Sequence, residues 1–239
     1  MSIELRNVTK KVRLGPVKLT YSGLDIVIPD GARMALLGHK EAGLEAIVNV
    51  MCAADAPDRG TVTRTQSISW PIPGAGFLSR HLTLAANARF VARLYETDEE
   101  AFLARVDELG QFGETIDTRM DECPTEVRSM FCFLLGVCLP FDHYIFTGLN
   151  VGPKAERGKV SELVSGLTER AGIVLVGQDA KNAEVLCDKA YVFNEGKATY
   201  YDDMEAAIEH FGSIETREVD DDDFMGADPE LEDLVRMDF

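Results

Sequence analysis

The fold is decided by the stretch Met34-Ala35-Leu36-Leu37-Gly38-His39-Lys40-Glu41-Ala42-Gly43-Leu44-Glu45 and the residues just after it. A short apolar run ending at Gly38 is typical of a buried strand, and apolar residues recur at helical spacing from Leu44 onward. The two glycines are five positions apart, as in the phosphate-binding pattern GxxxxGK[ST], but Leu44 and Glu45 stand where that pattern has Lys and Ser or Thr. Taken alone, the stretch fits an ordinary strand-to-helix turn equally well.

The patterns on either side predict strands first and then alternating strands and helices. Predicted strands cover residues 3–8, 17–21, 24–29, 143–146, 173–176, 191–193 and 198–200, and predicted helices cover residues 82–109, 126–139, 154–170, 183–187 and 203–211. Alternation after an initial β portion predicts an α/β core with a mainly parallel sheet. We expect one domain over residues 1–214, with a helical arm at about 82–122 and an acidic tail over 215–239.

Composition excludes several classes of function. The formal net charge of −17 disfavours binding to nucleic-acid backbones. Five cysteines without CxxC spacing, and no leader before the first strand, favour a reduced, cytoplasmic setting. The longest apolar run, residues 130–141, is shorter than the roughly 20 residues that a membrane span needs. Any membrane association is therefore expected through a protein partner or a surface. Such an association would be peripheral, at the inner face of the cell membrane.

The charge is concentrated at the end of the chain. Residues 215–239 hold eleven Asp and Glu against two Arg, which is −9 of the total. Such composition is typical of a solvated, disordered segment. Its apolar residues leave open a second interpretation, in which the tail docks on a partner.

Three further segments carry a family resemblance that runs in order from Ile3 to about Phe211. They are residues 68–71 with 82–95, residues 141–146, and residues 187–211, which include Cys187-Asp188-Lys189-Ala190 and Asn194-Glu195-Gly196-Lys197. These segments resemble the ATP-binding subunits of ABC transporters of the capsular-polysaccharide export type. The resemblance implies an ABC-type P-loop NTPase core with an antiparallel β portion and a helical arm. Trp70 and Pro71 are expected to shape a loop.

In that family two subunits enclose ATP, and the resemblance assigns the site positions of this chain. The degenerate phosphate loop comprises Gly38, His39, Lys40, Gly43, Leu44 and Glu45. The loop lysine falls on Leu44 and the metal-binding hydroxyl on Glu45. The strand that should end in Asp-Glu ends in Thr147 and Gly148, and the switch histidine falls on Gln178.

In the family, the signature turn meets the γ-phosphate of the ATP bound by the opposite subunit. This turn falls on Pro124, Thr125 and Glu126. Pro124 lacks an N–H and Glu126 adds a carboxylate, so this turn is also degenerate. Lys40 is interpreted as a solvated or paired lysine in preference to a substitute phosphate ligand. The four histidines share no metal-ligand spacing, so we predict no metal site. Because the loop lysine, the metal-binding aspartate, the catalytic glutamate and the switch histidine of the family are all replaced, we also predict no catalytic residue.

Two functions are compatible with these replacements. The first is a catalytically inactive ABC ATPase-like protein that binds, scaffolds or regulates, in connection with polysaccharide export. The alternative is the ATP-binding subunit of a capsular-polysaccharide exporter that retains weak nucleotide binding; only then are ATP and Mg²⁺ expected as cofactors. The expected partners are a second copy or a related ABC ATPase subunit, as a dimer, and a membrane permease subunit at the arm and residues 70–84.

Overall fold

The computed structural model describes residues 2–14 and 17–215, so the predicted acidic tail lies outside the described residues except for Glu215. The strands are β1 (Ser2–Leu14), β2 (Val17–Pro29), β3 (Arg33–Leu37), β4 (Arg59–Arg64), β5 (Ile68–Ile72), β6 (His143–Phe146), β7 (Gly172–Gly177), β8 (Lys189–Asn194) and β9 (Lys197–Tyr201). The helices are α1 (Leu44–Met51), α2 (Leu84–Leu94), α3 (Glu99–Gly110), α4 (Thr125–Val137), α5 (Arg157–Leu167), α6 (Ala180–Leu186) and α7 (Met204–Ser213).

A three-stranded antiparallel sheet in the order β2-β1-β4 forms the first layer. β1 and β2 are each 13 residues long. The separate strands predicted at residues 17–21 and 24–29 are therefore one strand, because register shifts near Val8 absorb the break in alternation. β4 was not predicted from the sequence.

A six-stranded sheet in the order β5-β6-β7-β3-β8-β9 forms the second layer. The first five strands are parallel, and β9 closes the sheet as an antiparallel hairpin with β8. Trp70 and Pro71 lie in β5, so their predicted place in a loop is wrong. Pro is tolerated there because β5 is an edge strand of this sheet.

The alternation of β3 divides the core in two. Met34 and Leu36 pack with the antiparallel sheet and α1, whereas Ala35 and Leu37 pack on the other face with the remaining helices. Both faces of the parallel strands are thus covered by apolar side chains, which explains their continuous hydrophobic sequence.

Helices α2 and α3 lie within residues 82–122. The side chain of Thr83 accepts a hydrogen bond from the Ala86 N–H at the start of α2, and that of Asp98 accepts one from the Ala101 N–H at the start of α3. Such side-chain caps satisfy backbone donors that would otherwise be unpaired. Short 3₁₀ turns at Gly113–Asp117 and Met120–Glu122 lead from α3 to α4.

Candidate nucleotide site and partner surface

The predicted phosphate loop lies between the carboxyl end of β3 and the start of α1, where open α/β sheets bind their ligands. The Gly38 N–H donates to the Gly177 carbonyl at 3.2 Å, which ties the loop to the end of β7. Residues 40–42 form a 3₁₀ turn, and Gly43 then adopts a left-handed conformation with φ of 58°. A glycine suits this position because other residues are strained there.

The backbone of this loop is hydrogen-bonded to itself. The Ala42 N–H donates to the His39 carbonyl at 2.9 Å, and the Gly43 N–H donates to the Lys40 carbonyl at 3.1 Å. Glycine-rich loops hold phosphates through unpaired backbone N–H groups that point at the ligand. A phosphate that used these two amides would have to displace two existing hydrogen bonds.

The residue after Gly43 points away from solvent. Leu44 is 7% exposed and belongs to the core between the antiparallel sheet and β3. A methyl group placed on Gly38 would lie 3.1 Å from Leu44 Cδ1, so this side chain packs directly against the start of the loop. Glu45, the next residue, is exposed. The loop therefore offers an apolar side chain and a carboxylate where phosphate binding needs an ammonium and a hydroxyl.

The buried hydroxyl of Tyr21 forms a hydrogen bond with the phosphate loop. It donates to the Ala42 carbonyl at 2.5 Å, and burial raises the pKa of Tyr21, so the hydroxyl remains a donor. Tyr21 was not singled out from the sequence, because its contact is made by a strand 21 residues away. This hydrogen bond further stabilises the conformation in which the loop amides are bonded to loop carbonyls.

His39 and Gln178, two of the predicted site residues, are brought together. Nδ1 of His39 lies 3.4 Å from Oε1 of Gln178, and its ring stacks on Phe211 with 4.4 Å between ring centroids. Phe211 belongs to α7 and was also missed by sequence reasoning. Helix α7 thus packs against the phosphate loop at His39.

Thr147 and Gly148 follow the end of β6, next to β5. The Thr147 N–H and hydroxyl both donate to the Ile72 carbonyl, at 2.8 and 3.2 Å. The hydroxyl is therefore engaged in joining two strands, and Gly148 has no side chain. Between His143 and Lys154 the sequence contains no Asp or Glu, so this strand end supplies no carboxylate for a metal ion or for activating water.

Pro124 precedes α4, and Thr125 and Glu126 form its first turn, all three exposed. Arg128 donates from its guanidinium to Thr125 Oγ1 at 3.1 Å and to the Cys123 carbonyl at 3.2 Å. Within the described part of the chain, these hydrogen bonds stay in the segment and do not reach Gly43 or Leu44. The three residues are not brought to the loop of the same chain.

The residues present do not match the donors that Mg²⁺-ATP needs in a P-loop. The described residues, 2–14 and 17–215, also contain no group of three or more His, Cys, Asp or Glu placed to hold a metal ion. No helix in these ranges is both long and apolar enough to cross a membrane.

A second candidate surface lies on the arm and is apolar. We define the arm surface as Phe77, Phe90, Leu94 and Tyr95, which are 44%, 44%, 58% and 40% exposed. Phe90 and Leu94 are one helical turn apart on α2, and Tyr95 follows directly. The ring of Trp70 lies 5.1 Å from that of Phe77 and 5.8 Å from that of Tyr95, which makes the surface continuous.

The arginines of α2 do not contribute free charge to this surface. Arg89 Nε lies 2.8 Å from a Glu100 oxygen, and Arg93 Nε lies 3.2 Å from a Glu99 oxygen. Both pairs join α2 to α3. Exposed large apolar groups in continuous patches are typical of protein-binding surfaces.

The fold is that of an ABC-type ATP-binding cassette. A solved structure described as the ATP-binding subunit of an ABC transporter superposes with a TM-score of 0.73 at 17% identity, covering 98% of each chain. The cassette MJ0796, solved as a dimer bound to ADP and Pi, superposes with a TM-score of 0.70 at 14% identity, covering 83% of this chain and 97% of that one. The predicted α/β core with an antiparallel portion and a helical arm is confirmed.

In sequence, the chain is similar to several ATP-binding proteins, two of them named for the transport or export of a polysaccharide. It is 29% identical to the polysialic acid transport ATP-binding protein KpsT of Escherichia coli, over 86% of this chain and 96% of that protein. It is 26% identical to the ATP-binding protein BexA of Haemophilus influenzae, over 89% and 99%. It is 27% identical to the capsule polysaccharide export ATP-binding protein CtrD of Neisseria meningitidis, over 82% and 94%. No family model matches the sequence.

Proposed function

We propose that the chain is the cassette subunit of a polysaccharide exporter, with a nucleotide site that binds Mg²⁺-ATP weakly. The observation that carries the proposal is the similarity to KpsT, BexA and CtrD, which spans 94–99% of those proteins. A framework kept over that length supports retention of the task of the relatives. The chain would act at the inner face of the cell membrane, paired with a second copy or with a related cassette subunit.

Weak nucleotide binding is inferred from the loop. Its Ala42 and Gly43 amides are already hydrogen-bonded, Leu44 is in the core, and Glu45 would place a negative charge near the phosphates. At about 5 Å and an effective dielectric of about 20, each pair of like unit charges costs roughly 3 kcal/mol. We therefore expect neither ATP nor Mg²⁺ as a tightly held ligand, and no catalytic residue in this chain.

The arm surface is the proposed contact with a membrane permease subunit. Its four residues are large, apolar and exposed, and the pairs Arg89–Glu100 and Arg93–Glu99 join α2 to α3. Burying four such side chains against a partner is favourable by about 1.5 to 3 kcal/mol for each one fully covered.

A second candidate function is an inactive regulatory protein that binds a soluble partner. In the family that the chain resembles, separate steps of ATP hydrolysis depend on five positions that are all replaced here. The replacements that favour this function are Leu44, Glu45, Thr147, Gly148 and Gln178.

Copurification from the native cell separates the two functions. The tagged full-length protein, extracted in mild detergent, should recover a polytopic membrane protein. The variants Phe90→Ser and Leu94→Ser should reduce that recovery severalfold, because they remove apolar contact area without touching the core. Val185→Ser is the matched control, since Val185 is 76% exposed on α6. Recovery of a soluble partner alone would favour the regulatory protein.

A further inference from the structure

The antiparallel sheet has one buried and one exposed face. Ile3, Leu5, Val8 and Val12 of β1 are buried, and their partners on β2 are also apolar. The alternate residues point to the opposite face, which is exposed to solvent because successive side chains of a strand alternate. This outer face carries a cluster of cations at the hairpin end of the sheet.

We define the basic face as Lys11, Arg13, Lys18 and Arg59. Arg13 is paired with Lys18 across the hairpin, Lys11 with Thr20, and Arg59 with Thr9, so the four side chains share the outer side of the sheet. All four are exposed. Arg13 lies four positions after Thr9 on β1, and each step along a strand is about 3.4 Å, so the cluster spans roughly 14 Å along that strand.

The basic face is not neutralised within residues 2–14 and 17–215, where none of its four cations forms an ion pair. Asp58 is the adjacent carboxylate and accepts the Lys11 backbone N–H at 2.7 Å. Glu4 and Asp25 lie further along the same outer side, where Glu4 pairs with Arg6 and Asp25 accepts the Asn7 N–H. The face therefore carries a net charge of about +3 on a protein of net charge −17.

The chain itself contains a segment of complementary charge. Residues 216–239 hold ten Asp and Glu against Arg217 and Arg236, and four consecutive aspartates occupy positions 220–223. In an extended segment every second side chain lies on one side, about 6.8 Å apart, which is the spacing of Lys11 and Arg13 on β1. Two aspartates can therefore meet two cations in register.

The segment is also long enough to reach. Its 24 residues follow Glu215, just after α7. Fully extended they span up to about 80 Å, whereas a domain of this size has a radius of gyration of about 17 Å. Attachment to the same chain raises the effective concentration of the segment to about the millimolar range, which favours this occupant over a free acidic ligand.

We propose that the acidic C-terminal segment, residues 216–239, binds the basic face of its own chain through Asp220–Asp223. The contact is electrostatic and lies at the surface, so it weakens as salt is added. It lowers the net positive charge of the basic face.

Zero-length cross-linking of the full-length protein tests the proposal. A water-soluble carbodiimide joins a carboxylate to a lysine amine only when the two are in contact, and mass spectrometry then identifies the pair. Carboxylates of residues 218–238 should join to Lys11 and Lys18 about five times more often than to Lys154 and Lys181, which are exposed elsewhere. Raising the salt from about 0.1 to 1 M should remove most of this preference, since the Debye length falls from about 10 to 3 Å.

Variants that leave the reactive lysines in place provide the controls. Arg13→Gln combined with Arg59→Gln should reduce the cross-links at Lys11 and Lys18 about threefold, because two of the four attracting charges are lost. Arg157→Gln, at an exposed site on α5, should not change them. Replacing Asp220–Asp223 together by Asn should lower the cross-links that Glu218 and Asp228 make to the same lysines.

Three outcomes would overturn the proposal. Cross-links spread over all exposed lysines in proportion to their accessibility would show that the segment has no preferred surface. Cross-links insensitive to salt and to the arginine variants would exclude an electrostatic contact. In a mixture of ¹⁴N- and ¹⁵N-labelled protein, cross-links that join different isotopes would assign the segment to a second copy.

Discussion

Placing a lysine at Leu44 tests whether the phosphate loop is closed by its own packing. Leu44 is 7% exposed and lies against Gly38, so the longer, charged side chain of a lysine does not fit the core. Removing a buried leucine costs about 2–5 kcal/mol, and a lysine recovers part of this only by extending its stem toward water. We expect Leu44→Lys to lower the free energy of unfolding by about 2–3 kcal/mol, which corresponds to about 5–10 °C in Tm for a chain of this size.

Thermal unfolding followed by circular dichroism measures this effect, with Leu44→Met as the volume-conserving control, which should cost less than about 1.5 kcal/mol. Calorimetry with Mg²⁺-ATP on the same variant should show no gain in affinity beyond a fewfold, because the missing groups act as a unit. An unchanged Tm together with micromolar ATP binding would refute the argument. That result would mean that the side chain at position 44 points into a working phosphate site.

Three other changes test the fold around this site. Tyr21→Phe leaves a buried carbonyl of the loop unpaired and should lower the free energy of unfolding by about 1–3 kcal/mol in urea denaturation. Gly60→Ala should destabilise clearly more than Gly31→Ala in the same assay: both glycines have positive φ, but a methyl group at Gly60 would lie 2.4 Å from a backbone oxygen, whereas none lies within 4 Å at Gly31. Burial raises the pKa of Cys132 and Cys187 to about 12. Unfolded thiols have a pKa of about 8.5, so the stability that these neutral thiols contribute is complete below that pH and is lost as pH rises toward about 12. Urea denaturation should therefore give a lower free energy of unfolding at pH 10.5 than at pH 8.

The sequence predicted the elements that are apolar throughout. β3, β6, β7 and α4 were found within one or two residues because short apolar runs bounded by Gly or Pro, or a long buried helix, leave few alternatives. β4 was missed, since its outward residues are polar and Val62 is its one strongly apolar residue. β5 was taken for a loop because Pro71 is unfavourable in most strands.

The identities of the candidate site residues could be obtained from the spacing of Gly38 and Gly43 and from the family resemblance. The hydrogen bonds and packing that close the phosphate loop could not be predicted from the sequence. The hydrogen bond from Tyr21 and the stacking of Phe211 on His39 join segments 21 and 172 residues apart, and no local pattern encodes such contacts. The self-bonded amides of Ala42 and Gly43 likewise depend on the backbone conformation, which composition does not fix.

The affinity of the full-length protein for Mg²⁺-ATP tests the central claim most directly. The loop has no lysine or hydroxyl after Gly43, its Ala42 and Gly43 amides are hydrogen-bonded, and Glu45 is negatively charged. Isothermal titration calorimetry should therefore give a dissociation constant of about 1 mM or weaker, near −4 kcal/mol. A dissociation constant in the micromolar range would contradict the account, because it would require a loop that opens its own hydrogen bonds to hold phosphate.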